Sequence, residues 1–203
     1  MTETAVAPYV PLSINDLEQY KLSPTVDPTY PSNLRTFYSP HDDVHGALKR
    51  LVSSTTKSLV VAMFGYDDEE LAAIIAGIID NPNIYVQITL DNSQAGGVHE
   101  RAILAKYKHE MGSNSVAIGS SEKGAIMHRK MVIVDGLWRL SGSTNWSVSG
   151  ETKQDNELTV LQSSAACAEA RHFLDIEHNK ALQQMAKKAA TAALKASEEV
   201  PAV

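Results

Sequence analysis

His128-Arg129-Lys130-Met131-Val132-Ile133-Val134-Asp135, followed after six residues by Gly142-Ser143-Thr144-Asn145, is the stretch on which the fold turns. Lys130 to Val134 is a short, apolar and β-branched run, the composition of a buried strand. Residues two apart on a strand face the same side. His128 and Lys130 therefore present an imidazole and an ammonium together, while Arg129 faces away. Met131, Ile133 and Val134 embed the run in a core, which makes the platform stiff. Gly142-Ser143 lets the backbone turn close to an anion, and the Ser143 hydroxyl and Asn145 amide are placed to donate to its oxygens.

Outward from this stretch, strands alternate with helices. Leu59 to Phe64 reads as a buried strand, and Asp67 to Glu70 opens an Ala- and Ile-rich helix that ends near Asn81-Pro82. Ile84 to Leu90 is a second strand, followed by the polar turn Asp91 to Gly97 and a helix from Val98 to Glu110. Ser115 to Ile118, Leu137 to Leu140 and Leu158 to Leu161 supply further strands. Thr36 to Tyr38 reads as a short strand before Ser39-Pro40-His41-Asp42, which has the form of a helix start: hydroxyl cap, proline, then an acid. The alanine-rich end, Ser164 to Glu199, is helical, with Cys167, Ala170 and Leu174 on one face and a last third expected to fray or pack on a partner. This order predicts an α/β fold: a mixed, largely buried β-sheet flanked by helices on both faces, with one motif per chain.

Composition narrows the possibilities. The 203 residues suit one main domain, and the longest apolar stretches, Leu59 to Tyr66 and Leu71 to Ile79, are too short to cross a bilayer. No basic start followed by an apolar run opens the chain, so a cytoplasmic location and no membrane partner are expected. A single cysteine, Cys167, excludes internal disulfides and a cysteine-built metal cage. The net charge of −6 has the wrong sign for a protein that coats polyanions. Between His99 and Arg139, however, seven bases (Arg101, Lys106, Lys108, Lys123, Arg129, Lys130, Arg139) outnumber the acids Glu100, Glu110, Glu122 and Asp135. Salt screens over roughly 8–10 Å, so an anion responds to that local surplus more than to the total.

Six residue types are fixed in His128, Lys130, Asp135, Gly142, Ser143 and Asn145. A chance match in a chain of this length is rarer than about one in ten thousand. The pattern resembles the HKD signature of the phospholipase D superfamily. The resemblance runs from Phe37 to the helix after Ser163, and is greatest to the small bacterial endonucleases of that superfamily. It implies three segments: residues 1–36 as an extended Pro-rich arm, 37–184 as a phospholipase D-like catalytic domain, and 185–203 as an Ala/Lys-rich helix and tail.

The resemblance also implies covalent chemistry without a metal or cofactor. His128 attacks phosphorus, Lys130 and Asn145 hold the non-bridging oxygens with Ser143, Asp135 braces the loop, and Glu157 fixes the histidine tautomer, although Asn156 occupies the ungapped position. Lys123, Arg129, Trp146 and Gln94 are the candidate substrate contacts. A second histidine must protonate the leaving oxygen. His178-Asn179-Lys180 has neither the aspartate nor the Gly-Ser that would complete another motif, so the second imidazole is expected from a homodimer whose twofold axis passes through the site.

Other residues have plainer readings. His41 and His45 near a helix start read as solvated rather than as metal ligands, Asp67 to Glu70 as a helix N-terminus, and His99 and His109 as surface groups. Trp138 and Trp146 flank the motif; a core role competes with stacking on a base. Three functions remain: a metal-independent phosphodiesterase cutting DNA, with RNA second; a phospholipase D or other phosphodiesterase acting on lipid or small substrates; and a catalytically silent nucleic-acid-binding or scaffold protein.

Overall fold

A computed structural model describes residues 11–23, 27–94 and 115–198. The expected helix from Val98 to Glu110, with His99, His109 and the bases Arg101, Lys106 and Lys108, lies outside the described residues. Seven strands form one sheet: β1 (Leu34–Ser39), β2 (Ser58–Met63), β3 (Tyr85–Asp91), β4 (Ser115–Gly119), β5 (Lys130–Val134), β6 (Trp138–Gly142) and β7 (Asn156–Gln162), in the order β1-β7-β6-β5-β2-β3-β4. β2, β3 and β4 run parallel, whereas β2–β5, β5–β6, β6–β7 and β7–β1 are antiparallel. The sheet is therefore mixed, as its sequence predicts.

Helices cover both faces. α1 (Val44–Ser53) and α2 (Glu69–Ile79) lie on one, and α4 (Ser164–Glu198) lies on the other; the short α3 (Val148–Thr152) follows the motif. The alternation along β2 explains this layering. Leu59, Val61 and Met63 join Leu48, Leu51 and Ile75 in the larger core, whereas Val60 and Ala62 face Ile133, Cys167 and Leu174. Cys167 is a buried apolar residue, as expected. No helix among the described residues is long and apolar enough to cross a membrane.

The termini depart from expectation. Residues 14–20, read as part of an extended arm, form a 3-10 helix whose Ser13 cap accepts from Asn15 N–H (3.3 Å) while Asp16 accepts from Ser13 N–H (2.8 Å). Leu12, Ile14 and Leu17 are buried in the main core, and Arg35 pairs with Glu18. Burial of three apolar side chains, rather than the prolines around them, decides the conformation here. Ser39 is the last residue of β1, not a helix cap: its hydroxyl donates to Gln154 O (2.7 Å), and Asp43 caps α1 by accepting from Gly46 N–H (2.8 Å). α4 continues as one helix through residue 198, across the boundary expected at 185.

His178 on α4 is buried against the sheet. Its Nδ1 lies 2.8 Å from Thr89 Oγ1 and its Nε2 lies 2.7 Å from Ser115 Oγ. Two hydroxyls suit a neutral imidazole, which offers one donor and one acceptor. Burial pushes its pKa down to about 4 against an upward pull from Asp175, with Arg171 adding to the decrease. This is structural chemistry, not a second catalytic motif. The unfolded chain takes a proton near pH 6.5 that the folded chain refuses, so stability present above that pH is lost as pH falls toward 4. Denaturant unfolding between pH 7.5 and 4 is expected to lose up to about 3 kcal/mol through this residue, and His178→Gln to flatten the slope by that amount.

Candidate active site

Because β5 and β6 are antiparallel, the start of one lies beside the end of the other. Met63 pairs with Lys130, Met131 with Ser141, and Gly142 with Leu158, so His128, Lys130, Gly142 to Asn145 and the start of β7 gather along one edge of the sheet. Phe64 and Gly65, just past β2, complete that edge: Phe64 N–H donates to Arg129 O (2.8 Å), and Trp146 N–H to Gly65 O (3.0 Å). The glycines are required by close approach. A Cβ at Gly142 would sit 2.0 Å from Glu157 O, and one at Gly65 would crowd the Asn145 side chain at 3.2 Å.

His128 is exposed at the mouth of a cavity of about 330 Å³, where its ring meets the edge of Phe64 at 4.7 Å. Thr89, Ser120, Ser121, Arg129 and Lys180 also line this cavity. Lys130, two residues on, is only 8% exposed. Its Nζ donates to His128 O (3.2 Å) and lies 4.8 Å from the centre of the Phe64 ring. Among the described residues no carboxylate forms an ion pair with this ammonium, and burial lowers its pKa. A buried cation without a counter-charge is costly, and an anion arriving beside it relieves the cost.

The remaining motif residues divide. Ser143 is tied to β7: its hydroxyl donates to Asn156 Oδ1 (2.9 Å) and accepts from Glu157 N–H (3.0 Å). To donate to a substrate, it must exchange Asn156 for the incoming oxygen. Asn145 has a buried Oδ1 with no hydrogen-bond partner, so its amide is not satisfied within the chain.

Asp135, grouped with the catalytic residues by sequence, stands at the other end of β5. Its carboxylate accepts the N–H groups of Thr56 (3.0 Å), Lys57 (2.7 Å) and Ser58 (2.9 Å). It braces a loop and does not reach the cleft. Glu157 also differs from expectation: its carboxylate takes the Thr159 hydroxyl (2.7 Å) rather than the His128 ring, while Asn156 is the residue that reaches Ser143.

The candidate substrate contacts are less favoured by the structure. Trp146 is 2% exposed and packs its ring against Tyr66 at 5.4 Å, so it cannot stack on a base; Trp138 is buried too. Arg129 lines the same cavity as His128, but its Nε donates to both oxygens of Glu177 (2.7 and 2.9 Å). Lys123 is exposed on the turn between cavity-lining Ser121 and Ile126, in a left-handed conformation (φ 55°). Gln94 is exposed on the turn after β3, where its N–H donates to Asp91 O (3.2 Å).

Two groups escaped the sequence reading. Asp91, buried at the end of β3, takes Met127 N–H at 2.6 Å and so holds the residue before His128. Its other oxygen is occupied by Ser93 N–H (2.8 Å). The signal available was only a carboxylate at a strand end, which many turns share. His45, read as solvated, instead lies between the buried carboxylates of Asp68 and Glu151.

This edge of the sheet thus offers an anion an exposed imidazole and a buried ammonium that has no carboxylate partner among the described residues. Residues 48–177 match the family model described as "Cardiolipin synthase, PLD-like domain". The chain belongs to the phospholipase D superfamily. It is accordingly a phosphodiesterase-type enzyme of that superfamily. A curated relative, the mitochondrial cardiolipin hydrolase of Chlamydomonas reinhardtii, is 25% identical over 124 residues, which are 61% of this chain and 52% of that protein. The chain thus spans about half the length of that relative. Among solved structures, NucT from Helicobacter pylori superposes with a TM-score of 0.62 at 20% identity, covering 73% of this chain and 96% of that one. Nuc from Salmonella typhimurium, described as a phospholipase D family member, gives 0.61 at 17% identity, covering 72% and 93%. At these identities the likeness is one of fold.

Two carboxylates can be told apart by experiment. Asp91→Asn turns an amide toward Met127 N–H and is expected to cut the turnover of bis(p-nitrophenyl)phosphate at least about tenfold through misplacement of His128. Asp135→Ala is expected to cost about 2 kcal/mol in denaturant unfolding yet leave that rate within about twofold well below the melting temperature.

Proposed function

We propose that this phospholipase D superfamily enzyme is a metal-independent endonuclease, acting on DNA first and RNA second, through a covalent phosphohistidine on His128. The observation that carries the reading is Lys130: a buried ammonium with no carboxylate partner among the described residues, its Nζ donating to the backbone carbonyl of the exposed His128. That pair needs a phosphate to be complete. Compactness supports the nuclease reading, because the described fold covers almost the whole of NucT and Nuc but only half of the cardiolipin hydrolase.

In the proposed reaction, a His128 ring nitrogen attacks phosphorus in line and the bond to the leaving oxygen breaks. A proton passes to that oxygen from the partner's His128. Water then attacks the phosphohistidine, gives its proton to the same partner imidazole and restores His128. Lys130 and the Asn145 amide offset charge on the non-bridging oxygens. The chain carries one motif, and among the described residues His128 is the imidazole that lines the cavity, so the site is half of a symmetric pair in a homodimer. Two imidazoles sharing one task, one neutral and one protonated, give a bell-shaped rate profile on the acid-to-neutral side. A net charge of −6 leaves the binding of polyanions only weakly dependent on salt.

Hydrolysis of an anionic lipid is the second reading, favoured by the curated relative's activity on cardiolipin as its name states it. Plasmid, single-stranded DNA, RNA and cardiolipin vesicles incubated with the protein in excess EDTA separate the two. Nucleic-acid cleavage that survives chelation is the expected result; lipid turnover alone moves the assignment to the second reading, and a strict magnesium requirement contradicts the mechanism. His128→Ala is expected to abolish turnover with the dimer intact by light scattering, and Lys130→Ala to lower kcat by about 10²–10³.

A further inference from the structure

Outside the cleft, three chemically active side chains converge behind the wall that carries the motif. His45 comes from the first turn of α1, Asp68 is the N-cap of α2, and Glu151 lies in α3. One ligand atom from each falls within 4.8 Å of the others. His45 Nδ1 lies 2.5 Å from Glu151 Oε2 and 2.9 Å from Asp68 Oδ2. An imidazole nitrogen carries one hydrogen at most, and the nearer carboxylate claims it. Among the described residues Asp68 Oδ2 and Glu151 Oε1 have no hydrogen-bond partner, although these residues are 2% and 1% exposed. The other Asp68 oxygen is committed to capping, accepting from Leu71 N–H at 2.9 Å.

Charge sharpens the point. Two buried carboxylates share a single imidazole, and the cationic neighbour Lys49 is engaged by Glu70 (2.6 Å). A divalent ion satisfies both orphaned oxygens and brings the group to neutrality with a neutral histidine. Donors bound at about 2.0–2.2 Å stand roughly 3 Å from one another, which is the scale of the spacings here. One nitrogen and two carboxylates suit zinc or manganese better than the all-oxygen shells of magnesium and calcium. The far side of the ring also fits: His45 Nε2 faces Glu70 Oε2 at 3.5 Å, and a carboxylate beside the second nitrogen is the usual orienting partner of a ligating histidine. A quarter-exposed imidazole and an exposed Glu70 leave a route from solvent.

We propose that His45, Asp68 and Glu151 form a structural divalent-cation site of zinc or manganese type, separate from the phosphodiesterase chemistry. Its position explains what it does. Asp67 N–H donates to Trp146 O (2.6 Å), and Glu151 N–H to Ser147 O (3.0 Å), so an ion joining Asp68 to Glu151 pins the segment that carries Asn145 against the end of β2. His45 adds the first turn of α1 to the same clamp.

The test is metal uptake by the full chain after EDTA stripping and dialysis. One equivalent of Zn²⁺ per chain is expected by isothermal titration and elemental analysis. Saturating Zn²⁺ at a hundredfold excess over Kd is expected to raise the melting temperature by about 5–10 °C. His45→Ala and Glu151→Gln are expected to weaken uptake at least tenfold, while His128→Ala retains it. Asp68→Asn with Glu151→Gln removes the buried charge while keeping shape; this variant is expected to fold and melt without any response to zinc. Stripped protein that takes up no stoichiometric Zn²⁺ or Mn²⁺, or uptake unchanged in these variants, overturns the site. Cleavage in EDTA is a separate readout, so loss of one proposal leaves the other standing.

Discussion

An ammonium held inside the protein without a counter-charge among the described residues is the constraint around which the rest is arranged. Lys130 is placed by β5, whose neighbours on both sides bury it, and its Nζ is left with a carbonyl oxygen and an aromatic ring. A lysine so placed destabilises the empty protein and favours an anion in the cleft. The cost falls on folding, and in the proposed reaction the return comes in binding and in the transition state, where charge on phosphate oxygens increases. His128, two residues earlier, is exposed at the cavity mouth. The pair differs in burial: Lys130 is enclosed and His128 is open.

The mixed topology makes that pairing possible. The parallel half, β2-β3-β4, delivers strand ends and the turn after β3 to one edge, and Asp91 from that turn grips the backbone just before His128. The antiparallel half brings the start of β5, the end of β6 and the start of β7 to the same edge, so Lys130, Ser143 and Asn156 become neighbours although 26 positions separate the first from the last. Gly142 is needed because β6 and β7 approach too closely there for any Cβ.

Much of this is legible in the sequence because its signals are local. The nearly continuous burial of β2 and β5, the acids opening α2 and the helical spacing of Cys167, Ala170 and Leu174 each follow from neighbours in the chain. The motif is legible for the same reason: its spacing is a strand followed by a tight turn. What stayed hidden depends on distant partners. Nothing in the turn after β1 announces that His45 will meet Asp68 and Glu151, 23 and 106 positions away. Leu12, Ile14 and Leu17 are masked by surrounding prolines and polar residues until a core exists to receive them. Trp146 reads equally as a platform or as core until Tyr66 is beside it. In a strand one residue reverses the face, which is why the side chain of Asn156 meets the Ser143 hydroxyl while Glu157 meets it only through its backbone.

The most direct test of the central claim is to stop the reaction part-way and find the covalent link. A 5′-labelled oligonucleotide mixed with protein and quenched in alkali, under which phosphohistidine survives, is digested and read by tandem mass spectrometry. The expected result is a nucleotidyl-phosphate adduct on His128, absent from His128→Ala. An adduct on another residue, or steady turnover with no adduct at any time point, contradicts the division of labour between His128 and Lys130.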